Sequence, residues 1–220
     1  PVVAIYSTFL QRAYDLIVHD VALQDLPMIF AIDRGGLVGE DGGTHHGVFD
    51  IAYLRSIPNM ALCSAKDGDE LAAMLRFAND FIESPLAKPI AVRYPRGNVN
   101  TIDWGVPNSP IELGKSETLL QGDDVAIIGF GSMVPLCFEA GKKLAEEGVK
   151  ATVINARWAK PLDVDAIIEA AQRTKRLVIA EEGCKIGGFA SGILEMLAEN
   201  GVSDVKVRTF GIPDNFIEHG

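Results

Sequence analysis

The sequence predicts an α/β protein made of two doubly wound, three-layer units, each with a mostly parallel sheet. Three observations predict it. Short apolar runs alternate with segments whose apolar residues recur every three or four positions, the pattern of strands joined by crossover helices. The alternation occurs twice. Between the two series lies a stretch rich in Pro, Gly, Asn and Ser with little periodicity, including Gly105, Pro107 and Pro110. The first unit is therefore expected over residues 1–98, a linker over 99–121 and the second unit over 122–220.

The chain opens on an apolar run, Val2 to Tyr6, followed by Ser7-Thr8 and a helical pattern through Leu10, Ala13, Ile17 and Val21. Ser7 or Thr8 is expected to cap that helix with its side-chain oxygen. Met28 to Ile32 is the second strand and Met60 to Cys63 the third. Asp67 with Glu70 three residues later resembles a capping box. The helix it opens carries Leu71, Leu75, Ala78 and Ile82 on one side and ends at Ser84-Pro85. Pro89 to Pro95 is the fourth strand. One short strand is expected within the linker, near Ile111 to Leu113. Strands then follow at Asp124–Ile128, Ala151–Ile154, Arg176–Ala180 and Val205–Phe210. Helices run through Leu136 to Gly148, Asp163 to Ala171, and from Gly187-Gly188 to Asn200.

Composition narrows the function. The net charge is −10, which argues against a nucleic-acid surface built of clustered Lys and Arg. No apolar run is long enough to span a membrane. Three widely spaced cysteines without CxxC spacing read as reduced thiols of an intracellular protein, with no zinc site. A chain that begins inside a strand is expected to be a fragment.

The chemistry concentrates between Ala31 and Asp50. An apolar run stops at Asp33-Arg34, glycines crowd in from Gly35 to Gly47, and Glu40, Asp41, Thr44, His45 and His46 sit among them. Glycines after a buried strand mark a pocket at its carboxyl end. In a parallel sheet the strand ends at Tyr6-Ser7, Asp33-Arg34 and Arg93–Arg96 share one rim. Arg34 and Arg96 can there grip a phosphate in fork geometry, or each can pair with Asp33 or Asp41. His45 or His46 can do acid–base work near neutrality, or serve as a polar loop residue. Gly129-Phe-Gly131 lacks the third glycine of a dinucleotide loop, Val134 standing in its place, and reads as a plain strand-to-helix turn. Glu181-Glu182 reads as a solvated loop, since no partner group is near in sequence.

The strings Tyr6-Ser-Thr-Phe-Leu-Gln-Arg-Ala-Tyr-Asp15, Ala31-Ile-Asp-Arg34, Asp41-Gly-Gly-Thr-His45 and Arg93-Tyr-Pro-Arg-Gly97 resemble those of the 1-deoxy-D-xylulose-5-phosphate synthases. These are enzymes of the transketolase superfamily. Arg157-Trp-Ala-Lys-Pro-Leu-Asp163 and Gly211-Ile-Pro-Asp214 extend the resemblance over nearly the whole chain. It implies a transferase that couples pyruvate to D-glyceraldehyde 3-phosphate with loss of carbon dioxide, supplying isoprene, thiamine and pyridoxal biosynthesis. It implies thiamine diphosphate and Mg2+ as cofactors, a homodimer, and a bacterial cytoplasmic or plastid-stromal location. By position, Phe9 would pack on the aminopyrimidine ring. Tyr6, Arg34 and Arg96 would hold the substrate phosphate. Asp41 and His45 would line the reacting centre and assist proton transfer. Arg93 is left structural and His46 unassigned.

The family's Gly-Asp-Gly…Asn motif for metal and diphosphate has no counterpart in the sequence, and the glutamate that activates the ring would precede Pro1. The chain thus resembles the pyrimidine-binding domain without its first elements, followed by the C-terminal domain. It holds no metal ligands of its own on this reading, needs the missing N-terminal segment, and is expected not to turn over alone. The competing expectations are another thiamine-dependent ketol transferase, a 2-oxoacid dehydrogenase β subunit, or a non-catalytic dimerisation fragment.

Overall fold

The computed structural model describes residues 1–99 and 102–220. Two five-stranded sheets account for its strands. The first has the order β1 (Val2–Tyr6), β2 (Ile29–Asp33), β4 (Ile90–Arg93), β3 (Ala61–Ser64), β8 (Trp158–Lys160). The second has the order β10 (Lys206–Ile212), β9 (Arg176–Cys184), β6 (Val125–Gly129), β7 (Ala151–Asn155), β5 (Glu117–Leu120). All pairings are parallel except β8 on β3 and β5 on β7, so each sheet is mostly parallel with one antiparallel edge.

Alternation along the strands builds the layers. In the first sheet Ile29, Ala61, Cys63, Ile90 and Val92 face helix α4 (Gly68–Phe81), with Met74, Ala78 and Phe81 across from them. The opposite residues Phe30, Ile32, Leu62 and Ala91 join a core that runs on through Ile128, Ile154 and Ile179 of the second sheet. The remaining face of that sheet packs Ile127 and Val153 on α5 (Val134–Glu146). Helices α6 (Val164–Thr174) and α7 (Phe189–Glu199) close the shared core from the other side.

Several local expectations are corrected. The first helical pattern is not one regular helix. It comprises α1 (Ser7–Leu10), a 3-10 turn (Gln11–Ala13), α2 (Tyr14–Leu16) and a π-helical segment (Ile17–Ala22). Neither Ser7 nor Thr8 caps it: Ser7 is buried, and Thr8 donates to the Thr44 carbonyl 36 residues away. Asp67 does cap α4, accepting the Glu70 amide at 2.8 Å, while the Glu70 carboxylate reaches back one residue past the cap and accepts the Lys66 amide at 2.7 Å in place of the Asp67 amide of a capping box. The buried stripe of α4 is Glu70, Met74, Ala78 and Phe81; of the expected residues Ala78 is in it, Leu71 and Ile82 pack at its margin, and Leu75 faces solvent. Ile111–Leu113 forms no strand. The strand in the expected linker is β5, paired to β7 of the second sheet. Helix α3 (Asp50–Arg55) and β8 were not foreseen.

β8 carries the second unit across to the first sheet, and a buried ion network fills the join. Arg157 Nε donates to Glu70 Oε1 at 2.7 Å, Lys66 Nζ lies 2.6 Å from Glu117 Oε2, and Asn155 Nδ2 donates to Glu70 at 2.8 Å. All five side chains are buried. Burial of the Glu117 carboxyl opposes ionisation. The hydrogen bond from Lys66, the charge of Arg157 and the Ser109 amide outweigh it and hold its pKa below the ordinary 4.5.

A depressed carboxyl contributes stability above its unfolded pKa and loses it as pH falls through the folded value. The urea midpoint is therefore expected to drop as pH falls below 4.5, and Glu117→Ala to flatten that acid limb. Arg157→Ala, which leaves Glu70 and Glu117 to share Lys66 as their one buried cation, is expected to cost about 3–5 kcal/mol in urea unfolding at neutral pH.

Candidate active site

Three parallel strands end on one rim of the first sheet, and each brings a polar side chain there. In register Tyr6 lies beside Asp33, and Ile32 beside Arg93. The chain leaves β2 through Arg34, whose φ of +57° lies in the left-handed region that non-glycine residues seldom occupy. Asp33 Oδ1 accepts the Arg34 amide at 2.6 Å and supports the turn. The turn sets the guanidinium over the Tyr6 ring, with Cζ 4.3 Å from the centroid and Nη2 donating to the Tyr6 hydroxyl at 3.2 Å.

The glycine loop then leaves and returns through a narrow neck. Gly36 and Gly47 exchange backbone bonds of 2.7 and 2.8 Å. A Cβ on Gly47 would stand 2.2 Å from the Arg34 carbonyl oxygen and 2.5 Å from Ser7 Cβ, so only glycine fits the neck. A 3-10 turn, Gly39–Asp41, presents Asp41 to both arginines. Its Oδ2 pairs with Arg34 Nη1 and lies 3.2 Å from Arg96 Nη1. Thr44 Oγ1 is 2.9 Å from His45 Nδ1. The His45 ring meets the edge of Phe9 at 5.6 Å, and Phe9 stacks on Tyr6 at 5.3 Å.

Tyr6, Phe9, Arg34, Asp41, His45 and Arg96 are thus brought to one rim. Phe9 is half exposed, an open aromatic face in an otherwise polar wall. Arg34 Nε is buried without a hydrogen-bond partner. Both arginines pair with Asp41 in this structure, the local-carboxylate alternative for their charge. Beside Arg96, a cavity of about 510 Å3 opens between the units, bordered by Asp33, Tyr94 and Ser132.

The neighbouring groups are structural. His46 is buried, its Nδ1 accepting the Val38 amide at 3.1 Å. Arg93, 1% exposed, donates to Asp50 Oδ2 at 2.8 Å, to the Gly47 carbonyl at 3.0 Å and to the Glu182 carbonyl at 2.8 Å. Phe130 of the Gly129-Phe-Gly131 turn is buried and stacks on Phe189 at 4.8 Å. The solvated-loop reading of Glu181-Glu182 is overturned. Both belong to β9, which runs on to Cys184. Glu181 is buried and accepts the Phe189 and Ala190 amides at 2.8 Å each. Burial pushes its carboxyl up, against those amides and the nearby Arg93 and Arg55 charges. Glu182 reaches the glycine loop itself, accepting the Leu37 amide at 2.9 Å and the Ser132 hydroxyl. Sequence reasoning missed the Glu182 contacts because the Leu37 amide lies 145 residues away and the Ser132 hydroxyl 50.

Two family models match in tandem. The transketolase pyrimidine binding domain covers residues 1–101, and the transketolase C-terminal domain covers 114–220. The chain belongs to the transketolase family. Within the family it is 53% identical over 220 residues to 1-deoxy-D-xylulose-5-phosphate synthase 1 of Geobacter sulfurreducens. It is 50% identical over the same length to 1-deoxy-D-xylulose-5-phosphate synthase of Desulforudis audaxviator. Each match covers all of this chain but 34% of the relative, so the chain spans about a third of the length of these enzymes. Among solved structures, a split gene transketolase described as an inactive beta4 tetramer is 28% identical. It superposes with a TM-score of 0.85 over 97% of this chain and 66% of its own. Transketolase of Campylobacter jejuni, at 19% identity and a TM-score of 0.73 over 100% of this chain and 32% of its own, shares the fold. These transketolase-like neighbours carry the same two mostly parallel sheets with flanking helices.

Replacing Arg93 by Met would leave the Asp50 carboxylate buried and unpaired. R93M is expected to lose about 3–5 kcal/mol in urea unfolding. Adding Asp50→Asn is expected to recover part of that loss, which a double-mutant cycle measures.

Proposed function

We propose that this chain is the part of a thiamine-diphosphate-dependent 1-deoxy-D-xylulose-5-phosphate synthase that holds the cofactor's pyrimidine ring and grips the phosphate of D-glyceraldehyde 3-phosphate. The observation that carries the reading is the convergence of Tyr6, Phe9, Arg34, Asp41, His45 and Arg96 on one rim in a chain about half identical to such synthases.

The residues present fit the ring. Phe9 offers an open aromatic face, with Tyr6 stacked on it and the His45 ring at its edge, a surface on which a flat heteroaromatic ring can lie. When bound, thiamine diphosphate supplies the nucleophilic carbon needed to decarboxylate pyruvate and join the remainder to an aldehyde. Groups for Mg2+ and the diphosphate belong, on this reading, to the two thirds of the enzyme outside this chain.

The chain's own residues do the rest. The buried, unpartnered Nε of Arg34 and the half-exposed Arg96 guanidinium supply donors for a phosphate. Tyr6 holds the Arg34 guanidinium by its hydroxyl and its ring face. Asp41 shares one oxygen between the two arginines and can release one of them as an anion arrives. His45, fixed beside Thr44 and the Phe9 edge, can move a proton at a substrate oxygen. Among the described residues no helix is long and apolar enough to cross a membrane, and the bacterial relatives support a cytoplasmic site. A homodimer is part of the reading, supported by exposed Val2, Leu16 and Leu23 at the edge of the first unit.

In the full-length enzyme, Arg34→Ala is expected to raise KM for D-glyceraldehyde 3-phosphate by about 10- to 100-fold, from loss of charged hydrogen bonds to the phosphate. KM for pyruvate should change much less, and equal losses for both substrates would remove the phosphate role. The isolated 220-residue chain is expected not to turn over these substrates when titrated with thiamine diphosphate and Mg2+. The inactive state named for the split-gene chain is in keeping with that outcome.

A further inference from the structure

We propose that Glu182, contributed by the second unit, is a positioning residue that sets the glycine loop carrying Asp41 and His45. The inference rests on the functional reading above and concerns how its site is held in shape.

The loop from Leu37 to His46 is tied to its own unit by Thr8 on the Thr44 carbonyl, His46 Nδ1 on the Val38 amide and Asp41 on Arg34 and Arg96. Its tip carries glycines at Gly39, Gly42 and Gly43, which leave the backbone free to take many paths. Its two ends meet at the neck, and both sides of the neck are also held from β9. On the returning side, Arg93 ties the Gly47 carbonyl to the Glu182 carbonyl, with bonds of 3.0 and 2.8 Å from one nitrogen. One residue further on, the Cys184 amide donates to the Val48 carbonyl at 2.8 Å. On the outgoing side, the Glu182 carboxylate takes the Leu37 amide at 2.9 Å. Its other oxygen accepts the Ser132 hydroxyl from the 3-10 turn (Gly131–Met133) that opens α5, which aims the carboxylate at the loop.

Gly36 makes this contact possible. Its φ is +100°, and a Cβ there would stand 2.4 Å from the Glu182 carboxyl carbon. The backbone is stripped of side chain where a carboxylate from the other unit must come closest. Leu37 and Val38 lead directly into the turn that bears Asp41, and their successive amides are held by Glu182 from the second unit and by His46 from within the loop. A charged acceptor on one amide is among the stronger single hydrogen bonds, and small displacements of reacting groups are costly to rate. Among the described residues, Glu182 and Ser132 link the second unit to the outgoing side of the loop by side chain.

The test uses the full-length enzyme. Glu182→Ala is expected to raise KM for D-glyceraldehyde 3-phosphate and lower kcat, together about tenfold in kcat/KM, as loss of one charge-assisted bond predicts. KM for pyruvate should shift less. Glu182→Gln keeps one oxygen for the Leu37 amide and should restore most of the loss, and Ser132→Ala should fall between. Hydrogen exchange gives a readout that does not depend on turnover. Peptides covering 37–47 should exchange about tenfold faster in E182A, while peptides of α4 and α5 keep their wild-type rates.

Loop exchange at the wild-type rate overturns the proposal. So does faster loop exchange with unaltered kinetics, and so does an equal acceleration in α4 and α5, which would mark a merely structural role. If the wild-type enzyme fails to couple pyruvate and D-glyceraldehyde 3-phosphate, the functional reading falls, and the exchange comparison still decides whether Glu182 holds the loop.

Discussion

A single buried cation holds the candidate site together. Arg93 is fully enclosed, and its guanidinium spends its donors on one carboxylate, Asp50, and two backbone carbonyls, Gly47 and Glu182. These acceptors belong to the start of α3, the return of the glycine loop and β9 of the other sheet. A buried charge is tolerated only when it is paired and its remaining protons are used, and here the pairing also closes the loop and joins the units. The chemistry-bearing side chains on the rim stand above a cation that ties α3, the loop's return and β9 together.

Above that point, geometry converts three strand ends into a pocket. Parallel strands put their carboxyl ends on one edge, so Tyr6, Arg34 and Arg96 need only short turns to meet. The left-handed backbone at Arg34 is a local cost of about 1–2 kcal/mol, met by the Asp33 acceptor and by the cation–π contact with Tyr6. Asp41 then occupies the gap between two guanidinium groups, keeping them from repelling each other while leaving one buried donor of Arg34 unused. The arrangement holds two cations close together yet poised for an anion.

The second unit contributes structure at two places. Through β8 and the Lys66–Glu70–Glu117–Arg157 network it is bound into the first sheet with buried charges that alternate in sign. Through β9 it reaches the glycine loop. No simple cut along the chain separates a catalytic unit from a supporting one, since β8 lies in the first sheet although it follows β7 of the second.

A family resemblance singled out Phe9, Asp41 and His45; the sequence by itself determined the class of fold, most of its strands and helices, and the shared rim of Tyr6, Arg34 and Arg96. Those features are local: periodicity two or 3.6, glycines after a strand, and the shared direction of parallel strands, all readable within a few residues. Tertiary structure decided the rest. It turned Ser7 inward under the Gly47 neck, moved the buried stripe of α4 to Glu70 and Met74, and carried Trp158–Lys160 into the other sheet. It also converted Glu181-Glu182 from an apparent surface pair into a helix cap and a loop anchor. Most of these depend on partners dozens to more than a hundred residues away, and even where the partner is near, as for Glu181, a carboxylate carries no local signature of the amide that will satisfy it once water is excluded.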